Sequence, residues 1–313
     1  MVYLTLIAGF VLLIAGGESF VRGSVAVAYR FGMSTLLVGL TLVAFGTSLP
    51  ELVTSVQAAL AGAPGIAVGN VVGSNIANIL LILGVTAAIY PVLVSKRTLR
   101  RDGGVLVIAS LACLATVLIG IIERITGVIF VAMLIAYIVR SYMVERGTPV
   151  AARTEAPPES ARRANLAFSL LLTVAGIGLT LAGARLLVSS AVELATQLGV
   201  SETVIGLTVV ALGTSLPELV TSGIAALRRQ TDLALGNIIG SNIFNVLCIM
   251  GITALVQPIP VPPEIIRFDI WAMLAATALL LVLAYTGRGV SRREGWVFLA
   301  CYAAYIGWLA LNI

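Results

Sequence analysis

The sequence predicts an all-α integral membrane protein whose ten transmembrane helices form two inverted-topology repeats of five helices each. Of its 313 residues, 59% are hydrophobic and 11% are charged, with a mean hydropathy of +1.09, whereas soluble chains carry about 25% charged residues. Apolar runs of about 20 residues, the length that spans a bilayer, recur along the chain. A stretch of polar residues also recurs unchanged between the two halves.

Charged and turn residues separate the apolar runs and define the expected spans. In the first half they lie near 2–29, 34–61, 65–91, 103–122 and 125–143, and in the second near 166–194, 201–227, 232–258, 267–286 and 293–312. The first run follows no basic region and no cleavage site, so we interpret it as a retained helix rather than a signal peptide. The chain thus divides into a first repeat (1–144), a linker (145–165) and a second repeat (166–313).

Basic residues predict the orientation in the membrane. When alternate loops are placed on opposite faces, fifteen of the nineteen Lys and Arg residues fall on one face: Arg30, Lys96, Arg97, Arg100, Arg101, Arg140, Arg146, Arg153, Arg162, Arg163, Arg228, Arg229, Arg288, Arg292 and Arg293. The other face has Arg124 and Arg267. Because cytoplasmic loops carry the basic excess, we expect both termini outside and the Pro-rich linker, a short disordered segment, in the cytoplasm.

Two motifs occur twice at one spacing. Gly-Thr-Ser-Leu-Pro-Glu-Leu-Val-Thr-Ser occupies 46–55 and 213–222, and a Gly-Asn…Gly-Ser-Asn-Ile-x-Asn pattern occupies 69–78 and 236–245, both 167 residues apart. Five spans, an odd number, separate the copies, so the copies must face opposite sides of the membrane, as in alternating-access transporters. Structural duplication without a transport role is the alternative. It is disfavoured because the identity is concentrated in polar residues.

Two glutamates mark the candidate site. Of the fourteen acidic residues, four lie inside predicted spans, and of these Glu51 and Glu218 are repeat-related. A carboxylate at the bilayer centre costs at least about 2.5 kcal/mol, so its presence there indicates a function. A salt-bridged structural acid is the alternative, but neither glutamate has a Lys or Arg within one helical turn.

The remaining polar residues of the motifs converge on the bilayer midplane. The centres of the four spans that carry the motifs fall near Thr47, Asn78, Thr214 and Asn245. Residues four apart share a helical face; they are Thr47 with Glu51, Asn70 with Ser74 and Asn78, Thr214 with Glu218, and Asn237 with Ser241 and Asn245. Pro50 and Pro217 each remove a backbone donor. We therefore expect carbonyls near Ala44 and Thr47, and near Ala211 and Thr214, to be freed to bind a cation.

The available ligands are carboxylate, hydroxyl, amide and carbonyl oxygens, which suit Ca²⁺, Na⁺ or Mg²⁺ rather than zinc, copper or iron. The chain has no His, which excludes His-based metal sites and triads, and its three cysteines form no CxxC. Two carboxylates give a charge of −2 that a bound cation offsets. An empty site would be costly to carry past an apolar barrier, which favours obligatory exchange over uniport. We expect no enzymatic activity, no resident cofactor and no nucleic-acid partner.

The paired Gly-Thr-Ser-Leu-Pro-Glu and Gly-Ser-Asn-Ile-x-Asn motifs resemble the α-repeats of the Na⁺/Ca²⁺ exchanger family, within the cation/Ca²⁺ exchanger superfamily. The resemblance implies that Glu51 and Glu218 are central Ca²⁺ ligands shared in turn with Na⁺, joined by the backbone oxygens of Thr47 and Thr214. It implies that flanking Na⁺ sites are lined by Thr47, Ser48, Ser74, Thr214, Ser215, Ser241 and the carbonyls of Ala44 and Ala211. Asn78 and Asn245 would lie at the centre.

Three departures refine the resemblance. The potassium-dependent branch has Asp where this chain has Asn245, so we expect K⁺-independent transport. The Ca²⁺/H⁺ branch has an acid where this chain has Gly73 and Gly240, which disfavours proton coupling. Animal exchangers carry a large regulatory insert, whereas this linker is short. We therefore expect a prokaryotic protein of the plasma (inner) membrane, without an obligatory protein partner.

The expected function is a Na⁺/Ca²⁺ antiporter that works by alternating access, with the first helix of each half as the sliding element. A Ca²⁺/H⁺ or other cation/H⁺ antiporter, a cation channel and, more remotely, a membrane-embedded hydrolase are the alternatives. Other polar residues are kept out of the site. Glu18 and Arg22 are expected to form an ion pair, Arg185 breaks the symmetry of Glu18, and Glu193 is expected at the outer interface. Asn75 and Asn242 serve either hydrogen bonds between helices or ion contact.

Overall fold

Long apolar helices dominate the computed structural model, which describes residues 2–31, 33–146, 165–197 and 211–311. Within those ranges, eight helices are long and apolar enough to cross a membrane, and two shorter helices joined at a 44° bend make a ninth candidate span. The predicted span 201–227 is described only from residue 211 onward. The prediction of a multi-span helical membrane protein is confirmed, and the count of ten stays a prediction.

The helices of the first half are α1 (Val2–Arg30), α2 (Thr35–Thr47), α3 (Leu49–Leu60), α4 (Pro64–Ile89), α5 (Lys96–Ile119) and α6 (Arg124–Arg146). Those of the second half are α7 (Leu166–Gln197), α8 (Ala211–Thr214), α9 (Leu216–Leu227), α10 (Thr231–Val256), α11 (Ile265–Gly287) and α12 (Arg292–Leu311). The bounds of α9 and α10 are those of α3 and α4 moved by 167 residues. Most of the linker, residues 147–164, lies outside the described ranges.

The fourth span begins earlier than the sequence predicts. Its helix starts at Lys96 rather than near 103, because the Ser95 hydroxyl caps it by accepting a hydrogen bond from the Thr98 N–H at 3.0 Å. The basic residues that suggest a loop in the sequence therefore form the first turns of α5. Long basic side chains at a helix end can lie along apolar surface and still reach water.

Two short antiparallel ladders, which the all-α prediction does not include, join the halves. Strand β1 (Val92–Leu93) pairs with β4 (Gly289–Val290), and β2 (Ile121–Ile122) pairs with β3 (Ile259–Pro260). Each ladder links a loop of the first half to a loop of the second. The two loops of a ladder must therefore lie at the same membrane face.

Glycines bring α1 and α7 into backbone contact. A Cβ at Gly16 would lie 2.4 Å from the Thr180 nitrogen, and one at Gly23 would lie 2.6 Å from the Thr173 nitrogen. The contacted residue number falls as the glycine number rises, so the two helices run antiparallel. Among the candidate spans of the described residues, α10 has the largest share of buried residues in its most apolar stretch, 89%, and α4 follows with 72%. These are the helices that carry the Gly-Ser-Asn motifs.

Several spans contain a π-helical turn that the sequence does not predict. The turn in α4 covers Asn78–Ile82 and the turn in α10 covers Asn245–Met250. Both begin at the asparagine that ends the second repeated motif. Such wide turns inside α-helices are frequent at functional sites.

Candidate functional site

A helix break in each half precedes the candidate acid. Ser48 separates α2 from α3 with φ −84° and ψ 6°, and Ser215 separates α8 from α9 with φ −89° and ψ 5°. Pro50 and Pro217 then occupy the first turn of the new helix, where a missing N–H costs nothing. Glu51 and Glu218 consequently lie in the first turns of α3 and α9. Unpaired backbone N–H groups and the helix dipole favour negative charge there.

The serine of each break reaches the acid of the opposite half. The Ser48 hydroxyl donates a hydrogen bond to Glu218 Oε1 at 3.0 Å, and the Ser215 hydroxyl donates one to Glu51 Oε1 at 3.4 Å. Glu51 is 1% exposed and Glu218 is 2% exposed. Four of the predicted site residues are therefore brought together, and both carboxylates are buried.

The repeated motifs contain buried acceptor atoms that are unpaired. Glu51 Oε2 and Glu218 Oε2 have no hydrogen-bond partner, nor do the amide oxygens of Asn78 and Asn245. Neither glutamate forms an ion pair with a basic residue within the described ranges, which argues against the salt-bridged alternative. Because more than about 90% of buried polar groups in proteins are paired, a cluster of bare oxygens indicates a place for a cation.

The donor set suits hard cations. In the part of the chain that the structure describes, no three His, Cys, Asp or Glu residues converge as a metal site. Two carboxylates with neutral hydroxyl and amide oxygens are ligands of the kind that Ca²⁺ and Na⁺ accept. The residues present therefore fit the ions that the sequence predicts as substrates.

Repeat-related hydrogen bonds hold the two motifs of each half together. Asn70 Nδ2 donates to the Ser55 hydroxyl at 2.9 Å and to the Glu51 carbonyl at 3.1 Å. Asn237 Nδ2 donates to the Ser222 hydroxyl at 2.9 Å. Ser55 and Ser222 are absent from the predicted site, although they are the last residues of the repeated decapeptide. Their exact repetition in the two halves is the sequence signal that indicates their role.

The Thr47 hydroxyl also crosses between halves, lying 3.2 Å from Asn237 Oδ1. The Ala44 carbonyl, however, is not freed by the proline as predicted, because it accepts the Ser48 N–H at 3.1 Å and lies 3.3 Å from the Thr47 hydroxyl. Pro50 removes the donor to the carbonyl four residues back, Gly46, and leaves that of Ser48 in place. Since a carbonyl has a second lone pair, Ala44 as an ion ligand stays a prediction.

The other predicted ligands lie on the same helices. Ser74 and Ser241 are buried on α4 and α10, and the Ser241 hydroxyl has no hydrogen-bond partner. Thr214 is half-buried at the end of α8, and Ala211 begins that helix. Their roles as Na⁺ ligands stay predictions.

Asn75 makes the hydrogen bonds between helices that one of the two interpretations expects, whereas the hydrogen bond of Asn242 stays within its own helix. Asn75 Oδ1 lies 3.5 Å from Asn245 Nδ2, and Asn75 Nδ2 lies 3.6 Å from Met273 Sδ on α11. Asn242 Nδ2 donates to the Ile238 carbonyl in its own helix at 2.7 Å. Asn75 of the first half is therefore a hydrogen-bond partner of Asn245 in the second half.

The remaining charged residues inside spans lie away from this centre. Glu18 pairs with Arg22, as predicted, and also with Arg228, whose Nε lies 3.2 Å from Glu18 Oε2. The second partner, at the end of α9, is not predicted by the sequence. Arg185 and Glu193 are exposed.

Comparison with known proteins identifies the family. The family model described as "Sodium/calcium exchanger protein" matches residues 1–143 and 168–311, which is nearly the whole of both halves. The chain belongs to the sodium/calcium exchanger family. Members of this family are membrane transport proteins, so the chain is grouped with antiporters rather than with enzymes.

Full-length relatives support membership in this exchanger family. The chain is 37% identical over 308 residues to the putative antiporter CaxA of Alkalimonas amylolytica, covering 96% of this chain and 95% of the relative. It is 33% identical over 319 residues to the inner membrane protein YrbG of Escherichia coli, covering 98% and 95%. A structure of the sodium-calcium exchanger NCX_Mj soaked with zero Na⁺ and Ca²⁺ matches with a TM-score of 0.85 at 33% identity, over 98% of each chain. The chain therefore groups with prokaryotic exchangers.

Proposed function

We propose that this protein exchanges Na⁺ for Ca²⁺ across a membrane and binds both ions between Glu51 and Glu218. The observation that carries the proposal is the reciprocal arrangement of Ser48 with Glu218 and Ser215 with Glu51, which leaves one oxygen of each buried carboxylate unpaired. Family membership supports the same ions. Thr47, Ser74, Asn78, Thr214, Ser241 and Asn245, with the carbonyls of Ala44 and Ala211, complete the proposed ligand set.

Charge explains why exchange is obligatory in this proposal. The two carboxylates carry −2, which one Ca²⁺ neutralises and which Na⁺ ions also offset. A loaded site is near neutral and can pass an apolar barrier, whereas an empty one would carry uncompensated charge through low dielectric at a cost of several kcal/mol. The ion site therefore becomes accessible from the other side of the membrane only when ions are bound, and this couples the fluxes of Na⁺ and Ca²⁺.

Alternating access follows from the burial of the site. Both carboxylates are closed off, so an ion enters or leaves only when helices around them move. The glycine-lined contact between α1 and α7 supports these two helices as one unit that slides past the core, because small residues let helix backbones pack closely and associate. In the core, α1 packs against α9, the helix that carries Glu218.

Topology supports ten spans in two inverted halves. The β2–β3 ladder requires an even number of crossings between residues 122 and 259. Helices α6, α7 and α10 are three candidate crossings by length and composition. The proposal therefore takes the segment that contains α8 and α9 as the fourth. Ten crossings would leave both termini on one face of the membrane. The excess of basic residues on the opposite face supports that face, with the linker, as the cytoplasmic one. The antiparallel packing of α1 and α7, which correspond in the two halves, supports the inversion.

Further parts of the proposal concern coupling and location. Asn245 in place of an acid supports transport independent of K⁺. The basic side of the protein would face the cytoplasm of a prokaryote, with the chain in the plasma (inner) membrane. Ca²⁺ and Na⁺ act as substrates, and the proposal includes no resident cofactor and no obligatory protein partner.

The deciding experiment is uptake of radiolabelled Ca²⁺ into proteoliposomes loaded with Na⁺ and diluted into Na⁺-free buffer. We expect gradient-driven uptake by the wild type and its loss in Glu51→Gln and in Glu218→Gln. Glu193→Gln, which neutralises an exposed acid, is the matched control and should keep the wild-type rate. Uptake driven by a pH gradient without Na⁺ would indicate a proton-coupled antiporter, and unit conductance without counter-transport would indicate a channel. Either result overturns the proposal.

A further inference from the structure

An apolar groove of about 330 Å³ lies on the outside of the bundle, where the beginning of α5 meets the end of α11. It is lined by Leu99 of α5 and by Leu281, Val282, Tyr285 and Thr286 of α11. Val282 is 57% exposed and Tyr285 is 71% exposed, so the groove opens toward the surroundings of the helices. In a membrane protein those surroundings are lipid chains. The groove is therefore a surface on which an acyl chain can lie.

Basic residues stand at one end of this groove. Lys96 and Arg100 are exposed in the first turns of α5, on either side of the lining residue Leu99. Arg288 is exposed two residues after Thr286, and its carbonyl accepts the Val94 N–H at 3.0 Å. The β1–β4 ladder holds these two segments side by side. Three cationic side chains therefore come from both walls of one groove.

Nearby acids are already engaged. The Asp102 carboxylate accepts hydrogen bonds from Arg101 at 2.8 and 2.9 Å and is fully buried. Glu294 accepts both the N–H and the hydroxyl of Ser291 at 2.7 Å as part of a helix cap. Arg101 offsets the charge of Asp102, and Glu294 leaves one negative charge against three basic residues, so the mouth of the groove keeps a net positive charge. It complements an anion.

The symmetry of the fold does not require two of these charges. At the spacing of 167 residues Lys96 corresponds to Pro263, whereas Arg100 corresponds to Arg267. Arg288 follows the end of α11 as Gly120 follows the end of α5. Arg288 also adopts a left-handed φ of 54°, which favours glycine. Lys96 and Arg288 are thus specific to this end of the molecule, and Arg288 is present despite a backbone conformation that favours glycine.

We propose that this groove binds an anionic phospholipid, with an acyl chain against α5 and α11 and the phosphate held by Lys96, Arg100 and Arg288. Basic pockets between transmembrane helices are suited to anionic headgroups, and each basic residue near the headgroup contributes about 1 kcal/mol. The apolar lining selects a lipid over a free phosphate. This site is separate from the ion site and does not depend on which ions the protein exchanges.

Native mass spectrometry of the purified protein with a mixture of dioleoyl phosphatidylglycerol and dioleoyl phosphatidylcholine tests the proposal. We expect the wild type to retain phosphatidylglycerol preferentially. The triple variant Lys96→Gln/Arg100→Gln/Arg288→Gln should lose about tenfold or more of that preference. The matched control Arg153→Gln/Arg162→Gln/Arg163→Gln removes the same charge from the linker and should keep the preference. An unchanged triple variant, or an equal loss in the control, overturns the proposal.

A second variant tests the groove itself. Val282→Trp fills the groove from an exposed position, so the fold should tolerate it, and we expect it to lower the retention of both lipids. Glycerophosphoglycerol, which has the headgroup without the chains, should not displace the bound lipid from the wild type. Full retention by Val282→Trp, or displacement by the chain-free headgroup, would show that the acyl chain does not occupy the groove and would overturn the proposal.

Discussion

The Ser48 hydroxyl lies 3.0 Å from Glu218 Oε1, although the two residues are 170 positions apart in the chain. The equivalent contact, from Ser215 to Glu51, is 3.4 Å long. Each helix break thus supplies one acid to the centre and one donor to the acid of the other half. Neither half can form the complete set of contacts alone, which explains how a duplicated sequence builds one shared site.

The two serines should have graded effects on ion binding. A hydrogen bond to a charged group contributes about 1.5–3 kcal/mol, so Ser48→Ala should raise the Ca²⁺ concentration for half-maximal uptake by about tenfold or more. Ser215→Ala should have a smaller effect because its hydrogen bond is longer. Ser189→Ala is the control, since that exposed hydroxyl donates to its own helix at the Leu186 carbonyl. Half-saturation equal to wild type in both site variants would contradict the prediction.

An acid at position 245 should change the coupling. Asn245→Asp raises the charge of the proposed site to −3, so one Ca²⁺ leaves an uncompensated negative charge that an additional monovalent cation can offset. We expect wild-type uptake to be indifferent to external K⁺ and uptake by Asn245→Asp to be stimulated by it. The measurement is Na⁺-driven Ca²⁺ uptake over a series of K⁺ concentrations. The same measurement on Asn78→Asp, at the repeat-related position, shows whether an acid in the first half has the same effect as an acid in the second half. Clear K⁺ stimulation of the wild type would refute the K⁺-independent proposal.

Helices and acids were predictable because their signals are local. Apolar runs of bilayer length identify most of the spans, and the exact repetition of Glu51 at Glu218 identifies the acids. The start of α5 was misjudged because Lys96 and Arg100 look like loop residues in a sequence. Strands such as Val92–Leu93 are too short to leave any pattern. A two-residue ladder depends on which loops the fold brings together.

The contacts of the site were less predictable than its members. The sequence indicates that Ser48 and Glu218 belong to related motifs, but the pairing of a serine with the opposite acid depends on how the halves pack. Ser55 was missed for a similar reason, because its partner Asn70 lies on another helix. The prediction that the Ala44 carbonyl is unpaired relied only on the missing N–H of the proline. The backbone around Ser48 retains that hydrogen bond.

Two Asp–Tyr pairs, one in each half, should differ in their contribution to stability. Tyr305 donates to Asp269 Oδ1 at 2.9 Å, and Tyr137 donates to Asp102 Oδ1 at 3.2 Å. Asp102 also holds Arg101, so its carboxylate stays paired without the tyrosine. We expect Tyr305→Phe to lower the melting temperature in detergent by about 2–4 °C, for a loss of about 1 kcal/mol. Tyr137→Phe should lower it less, and the reverse order in thermal denaturation would contradict this explanation.

Disulfide cross-links can separate motion of α1 against the core from motion within the α1–α7 pair. In a background without Cys113, Cys248 and Cys301, Thr5→Cys/Ser190→Cys joins α1 to α7, since these hydroxyls lie 2.7 Å apart. Gly17→Cys/Val220→Cys joins α1 to α9, because a Cβ at Gly17 would lie 2.7 Å from Val220 Cγ1. Both pairs of positions are close enough for a disulfide.

Alternating access by sliding predicts opposite outcomes for the two cross-links. If α1 and α7 move together past the core, oxidation of the α1–α7 pair should leave most Na⁺-driven Ca²⁺ uptake intact. Oxidation of the α1–α9 pair should abolish uptake, and a reductant should restore it, because the block is the covalent bond and not the substitution. Ca²⁺ binding should survive in the oxidised α1–α9 variant, since the carboxylates are untouched. Undiminished uptake with α1 fully cross-linked to α9 would exclude the sliding of α1 as the step that exposes the site.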